Sequence, residues 1–244
     1  MSDVSESTDS RFLLNGRLPL QLRLDAHDVI SGLRPGARVL VRDEAEAFAV
    51  AEYVAAHRCD VAVSRGVLYH NPSQRGFADW LINRGEERMI ALYISATLEQ
   101  AEKLREADES AEDGRFGTSL GYPSCCVQRA CRDGVPAIAG TPAAFANRQR
   151  KFDPLLWPPA MLMDRALLPH IPCGSRCLAS RQLALARLKS LRRNAPPLFV
   201  LLCESVRWHY RQTVEGVIRG WNPDGRVEPE EGTVYQPLAL RELA

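Results

Sequence analysis

The residues best suited to chemistry are four cysteines that stand in two short clusters. The clusters read G-Y-P-S-C-C and H-I-P-C-G-S-R-C, and they occupy Gly121–Cys126 and His170–Cys177. Cysteine thiolates are ligands for zinc and for iron–sulfur clusters, and they also attack electrophiles. This pairing predicts one metal or redox site that is built from both segments.

The first cluster lies where the sequence predicts the start of a helix. Pro123 has a backbone angle that suits the first turn, so Gly121 or Tyr122 is expected to be the cap. Cys125 and Cys126 then fall in the first turn. Unpaired N–H groups and the positive end of the helix dipole stabilise a thiolate at that position.

The second cluster also precedes a predicted helix. Pro172 stands directly before Cys173, and the periodic segment from Leu178 to Arg193 follows Cys177. This segment has the clearest helical pattern in the chain. Both cysteines are therefore expected at or just inside a helix start, with Arg176 beside them.

The metal ligands predicted from this pattern are Cys125, Cys126, Cys173 and Cys177. Structural zinc sites usually space their cysteines two to four residues apart, which an adjacent pair does not satisfy. An iron–sulfur cube tolerates neighbouring thiolates because each can bind a different iron. The sequence thus favours a 4Fe-4S cluster, and zinc is the alternative cofactor.

Other residues near the clusters can take part in chemistry. His170 is close enough to Cys173 to act as a ligand or as an acid or base, or it can simply hold the turn. His170 and Cys126 are the predicted catalytic residues. Tyr122 and Arg176 are predicted to bind a cofactor or an anionic substrate.

Three further cysteines are expected in the core. Cys59 precedes a predicted strand, and Cys203 lies in an apolar run. Cys131 follows the first cluster, and a core position is favoured for it over a place in the site.

The segments L-G-Y-P-S-C-C-V, from Leu120 to Val127, and H-I-P-C-x-x-x-C-x-x-S, from His170 to Ser180, together resemble a group of largely uncharacterised prokaryotic proteins that carry both signatures. The resemblance covers about a quarter of the chain. It implies that the two clusters form one site, and it implies no activity.

Composition excludes several classes of function. The chain has 244 residues, with 31 basic and 30 acidic side chains and a formal net charge of +1. This balance does not indicate nucleic-acid binding. No apolar run approaches the roughly 20 residues that span a bilayer, and the first ten residues lack a signal-peptide pattern. We expect a cytoplasmic protein whose seven cysteines are not a disulfide framework.

The remaining pattern predicts a mixed fold, α+β or α/β. Strands are expected at 37–41 and 88–95, and at 59–63 and 67–69, where Gly66 would close a hairpin. Asp43 and Thr97 are predicted to cap helices. A polar loop is expected at 111–114, and 152–172 is expected to be an irregular, proline-rich connector.

The predicted organisation has four parts. These are a disordered tail at 1–10, a small α/β unit at 11–110, a helical cysteine-bearing region at 111–195, and an apolar segment with a β-hairpin at 196–244.

The predicted function is that of an iron–sulfur or metal-binding protein, with the four-cysteine site serving redox, sulfur-transfer or Lewis-acid chemistry on a small molecule. This interpretation leans towards an enzyme. One alternative is a structural-zinc module that binds a protein partner. Another is a metal-free enzyme in which Cys125 or Cys126 is the nucleophile, activated by the helix N-terminus and His170.

Overall fold

The computed structural model describes residues 12, 18–66, 68–70, 78–79, 87–139, 154–156, 167–174 and 176–203. The chain divides into two compact units, Met1–Arg132 and Asp133–Ala244. Helices and a small antiparallel sheet make up the described residues, which confirms the predicted mixed α+β class. The predicted boundaries at 110 and 195 stay predictions.

The first unit contains a sheet in which one long strand holds the central place. The strands in chain order are β1 (Gly36–Val41), β2 (Asp60–Val63), β3 (Leu68–His70), β4 (Ala78–Asp79) and β5 (Glu87–Ser95). Both β1 and β2 run antiparallel to β5, and Ser95 pairs with a residue of each. They therefore lie on opposite edges of β5. Strand β3 pairs with the other end of β5, and β4 pairs with β3.

The predicted hairpin around Gly66 is wrong. Val63 lies opposite Leu92, and Leu68 lies opposite Met89. The chain therefore advances five residues from β2 to β3 while the paired strand β5 advances only three. Strands β2 and β3 thus follow one another along the same partner, and a bulge of two extra residues separates them. A glycine in a strand pattern is compatible with a bulge as well as with a tight turn.

Helix α2 (Glu44–Ala56) follows β1 and begins as the sequence predicts. The Asp43 side chain accepts a hydrogen bond from the Glu46 N–H at 2.8 Å. The Glu46 carboxylate in turn accepts from the Arg42 N–H at 2.8 Å, one residue before the cap. This is the reciprocal pattern of a capping box, displaced by one residue.

Helix α3 (Leu98–Glu109) confirms the second predicted cap. The Thr97 side chain accepts a hydrogen bond from the Gln100 N–H at 3.3 Å. The helix packs on the sheet, and its buried side chains join a cluster with residues of β2 and β5. The fully buried members of this cluster are Ala62, Ala91, Tyr93, Ala101, Leu104 and Leu120.

Three polar side chains form a hydrogen-bonded network next to this core. The Tyr93 hydroxyl donates to the Asp108 carboxylate at 2.8 Å, and Arg38 donates to both oxygens of Asp108 at 2.9 Å. Burial, followed by the nearby Asp108 charge, raises the pKa of Tyr93. Tyr93 therefore stays protonated and remains a donor to the carboxylate that Arg38 neutralises.

Helix α1 (Leu20–Ile30) was not predicted, and its charged residues explain why. Asp25 and Asp28 are buried within it, although exposed positions are normal for aspartate. Arg34, in the loop after the helix, lies 3.1 Å from Asp25 and 3.7 Å from Asp28. A cation outside the helix thus neutralises the aspartates that the helix buries, and the pattern of the helix residues alone does not show this.

The predicted polar loop at 111–114 is wrong in part, because helix α4 (Asp113–Ser119) begins within it. Two glycines in seven residues conceal this short helix from pattern reading. Helix α5 (Ser124–Ala139) follows and kinks at Gly134, where φ is 75°. A glycine is a usual cause of such a kink.

In the second unit, the clearest predicted helix is confirmed as α6 (Leu178–Asn194). A 3-10 turn at Pro154–Leu156 carries two buried leucines and packs against α6. Residues 196–203, the apolar run that contains Cys203, are helical. The N-terminal tail, much of the connector and the C-terminal hairpin lie outside the described residues.

Among the helices of the described ranges, none combines the length and the apolar character needed to cross a membrane.

Candidate metal centre

The four predicted ligands come together in space. The sulfur atoms of Cys125, Cys126, Cys173 and Cys177 all lie within 4.8 Å of one another. The sulfurs of the adjacent pair are 3.9 Å apart. All seven cysteines fall in the described part of the chain, and none of them forms a disulfide. This close group of sulfurs is a possible metal site.

Cys125 and Cys126 are positioned by the end of helix α4 and by the start of helix α5, which follows directly in the chain. Helix α4 ends with Gly121 in the left-handed conformation at φ 75°. The Gly121 N–H bonds to the Thr118 carbonyl at 2.9 Å, and the next N–H bonds to the Gly117 carbonyl at 3.0 Å. This is a Schellman motif, in which glycine is the usual residue.

Pro123 follows this motif and starts the next helix. Its carbonyl accepts hydrogen bonds from the N–H groups of Cys126 at 2.8 Å and of Val127 at 3.0 Å. Pro123 itself therefore occupies the cap position, which corrects the expectation that Gly121 or Tyr122 would do so. Cys125 and Cys126 lie in the first turn, as predicted.

Arg34 fixes this turn from the other side, a role that sequence reasoning missed. Its Nε donates to the Leu120 carbonyl at 2.9 Å, and its guanidinium lies 5.4 Å from the centre of the Tyr122 ring. Burial alone would lower the pKa of Arg34, but the charges of Asp25, Tyr122 and Asp28 raise it on balance. The cation is thus firmly charged beside the backbone that leads to the cysteines.

The second pair of cysteines lies in a short loop that enters helix α6. Cys177 is the residue before the helix, and its carbonyl accepts from the Arg181 N–H at 3.0 Å. Its own N–H donates to the Gly174 carbonyl at 3.2 Å, which closes a turn that begins at Gly174. This confirms the predicted helix start at Cys177. Cys173 lies four residues earlier in a bend, so the expectation that it too would lie at or just inside the helix start is wrong.

His170 and Ser180 close the same loop at its base. The His170 Nε2 lies 2.8 Å from the Ser180 Oγ, and the two residues are 5% and 0% exposed. Ser180 is in the first turn of α6, so this hydrogen bond joins the two ends of the segment that carries both cysteines. The H and S of the signature H-I-P-C-x-x-x-C-x-x-S thus have a common physical role.

A second buried contact supports the loop further from the cysteines. Arg187 is 1% exposed, and its Nη1 donates to the Leu167 carbonyl at 2.7 Å. Arg187 lies two helical turns after Ser180, so both side chains come from one face of α6. That face holds the chain from 167 to 170 in place before the cysteines begin.

The four sulfurs differ in their access to solvent. Cys126 and Cys177 are buried, with 6% and 8% of their surface exposed. Cys125 is exposed and Cys173 is half-buried. One side of the cluster is therefore protected by protein, and the other side is open to small molecules in solution.

Basic residues surround the cysteines in sequence, and acidic ones do not. Between 121 and 132 and between 171 and 181 the charged residues are Arg129, Arg132, Arg176 and Arg181. Four thiolates around a divalent ion leave two negative charges. Neighbouring arginines offset such a charge, whereas carboxylates would oppose it.

The other predicted site residues have more ordinary surroundings. Tyr122 packs against the core of the first unit in addition to its contact with Arg34. Arg176 is exposed between the two cysteines of its loop. His170 is not a member of the group of four clustered cysteines. The catalytic and cofactor-binding roles given to these residues remain predictions.

The three remaining cysteines stand outside the cluster. Cys59 and Cys203 are buried, as expected. Burial, and then the neighbouring Asp60 charge, raise the pKa of Cys59, which makes its thiol less reactive. The expectation of a core position for Cys131 is wrong, because this residue is exposed on helix α5.

Comparison of the chain with known proteins finds no matching family model, curated protein or solved structure.

Proposed function

We propose that the chain is a metal-binding protein in which Cys125, Cys126, Cys173 and Cys177 hold one tetrahedral metal ion, with zinc as the best-fitting metal. The observation that carries the proposal is the small size of the sulfur cluster, no larger than 4.8 Å in any direction between sulfurs.

The spacing of the sulfurs favours one ion over a cube. Around a single zinc ion with bonds of about 2.3 Å, tetrahedral sulfurs stand about 3.8 Å apart. The adjacent pair, at 3.9 Å, is close to that value. In a 4Fe-4S cluster each thiolate binds a different iron, which places the sulfurs on a wider tetrahedron with edges of about 6 Å. This reverses the order of cofactors that the sequence suggested.

The first turn of helix α5 removes the objection to an adjacent pair. Neighbouring side chains on a helix point about 100° apart, which normally separates them. At the first turn, however, no earlier turn of the helix packs against the two side chains. There Cys125 and Cys126 place their sulfurs on the same group of four.

Four thiolates fill the coordination sphere of zinc, and this decides what the centre can do. A catalytic zinc keeps one position for water or substrate, whereas a site with four cysteine ligands is closed. The centre therefore supports structure, or reaction at a bound thiolate, better than Lewis-acid activation of water. Among the predicted functions, this favours a zinc module over an iron–sulfur enzyme.

Metal analysis of the purified full-length chain tests the proposal. We expect about one zinc per chain, no acid-labile sulfide and no colour. Replacement of zinc by cobalt should produce the visible absorption of a tetrahedral thiolate site. Brown protein that contains iron and sulfide in equal amounts would overturn the single-ion centre, as would metal-free protein in which iodoacetamide alkylates Cys125 at neutral pH.

Serine variants identify the ligands. A serine at any of the four clustered positions should remove most of the bound metal, because one of four strong bonds is lost. Cys131→Ser is the matched control, since Cys131 lies on the same helix and is exposed but stands outside the cluster. Retention of full metal by Cys126→Ser together with its loss in Cys131→Ser would contradict the proposed ligand set.

A further inference from the structure

We propose that Cys125 is a site of modification by peroxides, and that Cys173 resolves the oxidised Cys125 into a disulfide and so releases the metal. This inference rests on the proposed function for the metal release alone. The disulfide itself requires only the clustered sulfurs.

Access selects Cys125 as the residue that reacts first. Oxidant-sensing cysteines are accessible, lie in an electropositive setting and have a second cysteine nearby. Cys125 is the exposed member of the cluster, its neighbours in sequence carry arginines and no carboxylates, and three other sulfurs lie within 4.8 Å. Cys131 is equally exposed but is not in the cluster.

Backbone geometry excludes Cys126 as the partner. The α-carbons of adjacent residues are about 3.8 Å apart across a trans peptide. Ordinary disulfides need about 4.4 to 6.8 Å between α-carbons. A bond between Cys125 and Cys126 would therefore be strongly strained.

Exposure and the lack of regular secondary structure select Cys173 over Cys177. Cys177 is buried, and hydrogen bonds hold its backbone on both sides, to Gly174 and to Arg181. Cys173 is half-buried and lies in a loop segment with no helix or strand. Its sulfur can thus move to the bonding distance of about 2 Å with the smaller loss of structure.

The reaction balances as a two-electron oxidation. The Cys125 thiolate attacks one peroxide oxygen, the O–O bond breaks, and a sulfenic acid and hydroxide form. The Cys173 thiolate then attacks the Cys125 sulfur and displaces a second hydroxide. Two thiolates are consumed, peroxide is reduced, and the metal keeps only two thiolate ligands. A thiol reductant reverses the disulfide.

Tryptic peptide mapping identifies the partner of Cys125, because cleavage after Arg176 separates Cys173 from Cys177. The zinc-loaded chain is treated with hydrogen peroxide, alkylated and digested without reduction. We expect peptide 116–129 linked to peptide 166–176, together with one equivalent of zinc released per disulfide. Cys131, in peptide 130–132, should be oxidised about tenfold more slowly.

Two variants assign the sulfur within peptide 116–129, which holds both adjacent cysteines. Cys126→Ser should keep the link to peptide 166–176, and Cys125→Ser should lose it. A link from peptide 116–129 to peptide 177–181, equal oxidation of Cys131, or the absence of any link would overturn the inference. Metal content before oxidation decides the proposed function separately, and the same link is expected in protein that holds no metal.

Discussion

Single residues before the first cysteine pair set the position of the pair, and Gly121 is the one that tolerates substitution least. Its φ of 75° disfavours any side chain. A Cβ added there would also come within 2.6 Å of the Pro35 Cδ. Backbone strain and a steric clash therefore act together at one residue, four positions before Cys125.

Gly121→Ala should lower the free energy of unfolding by about 2–4 kcal/mol, from the left-handed backbone and the overpacked contact with Pro35 combined. Urea denaturation measures the loss. Because the clash shifts the turn that leads to Cys125, the affinity for zinc should fall as well.

Gly32→Ala is the matched control. Gly32 ends helix α1 in the same motif with φ of 69°, but nothing lies within 4 Å of an added Cβ. Its cost should be the backbone term alone, about 1–2 kcal/mol, with unchanged zinc affinity. Equal effects of the two variants would show that contact with Pro35 does not restrain the turn.

At the scale of the element, the loop into helix α6 is held by a hydrogen bond between two buried side chains. His170 and Ser180 bracket Cys173 and Cys177, so the loop has few conformations while the bond exists. Contacts that orient metal ligands without binding the metal commonly affect affinity.

Ser180→Ala should weaken zinc binding by about tenfold and lower stability by about 1–3 kcal/mol, since it leaves a buried histidine nitrogen without this contact. Competition with a chromogenic chelator measures the affinity. Ser190→Ala is the control, because Ser190 lies on the same helix in an exposed hydrogen bond.

His170→Ala distinguishes positioning from a direct role. If His170 only closes the loop, this variant and Ser180→Ala should weaken zinc binding alike. A much larger loss of metal in His170→Ala would instead support the predicted role of His170 as a ligand or as an acid or base.

The elements that could be predicted from sequence are those whose signals are local. Asp43 and Thr97 bond within their own first turns, so four consecutive residues suffice to recognise each cap. The two cysteine segments were recognisable for the same reason, because one pair lies in the first turn of a helix and Cys177 directly precedes another helix. Helix α1 was missed because its buried charges depend on Arg34, which is not part of it.

The bulge between β2 and β3 and the spacing of the four sulfurs were not predictable either. Gly66 allows a turn and a bulge equally, and only pairing with β5 distinguishes them. Similarly, adjacent cysteines are compatible with a cube or with one ion until the distances between all four sulfurs are known. Both features depend on residues far apart in the chain.

At the scale of the whole molecule, the proposed function gives stability two independent sources. The sheet of the first unit has a buried centre, with Ala91, Tyr93 and Ile94 at 0% exposed. Apolar burial of this kind contributes about 25 cal/mol per Å² without any metal. The cysteine-bearing segments contain a positive-φ turn and an irregular loop. Under the proposed function, bound metal therefore contributes a larger share of their stability.

Removal of the metal by a strong chelator should therefore loosen the chain locally. Hydrogen exchange is expected to increase at 121–127 and 171–177, where the ligands no longer hold the backbone, while amides of β1 and β5 keep their protection. Zinc added back should restore the protection. Exchange that rises equally in strand β5 would show that the sheet depends on the metal, and no change at 171–177 would show that the cysteines do not hold a structural ion.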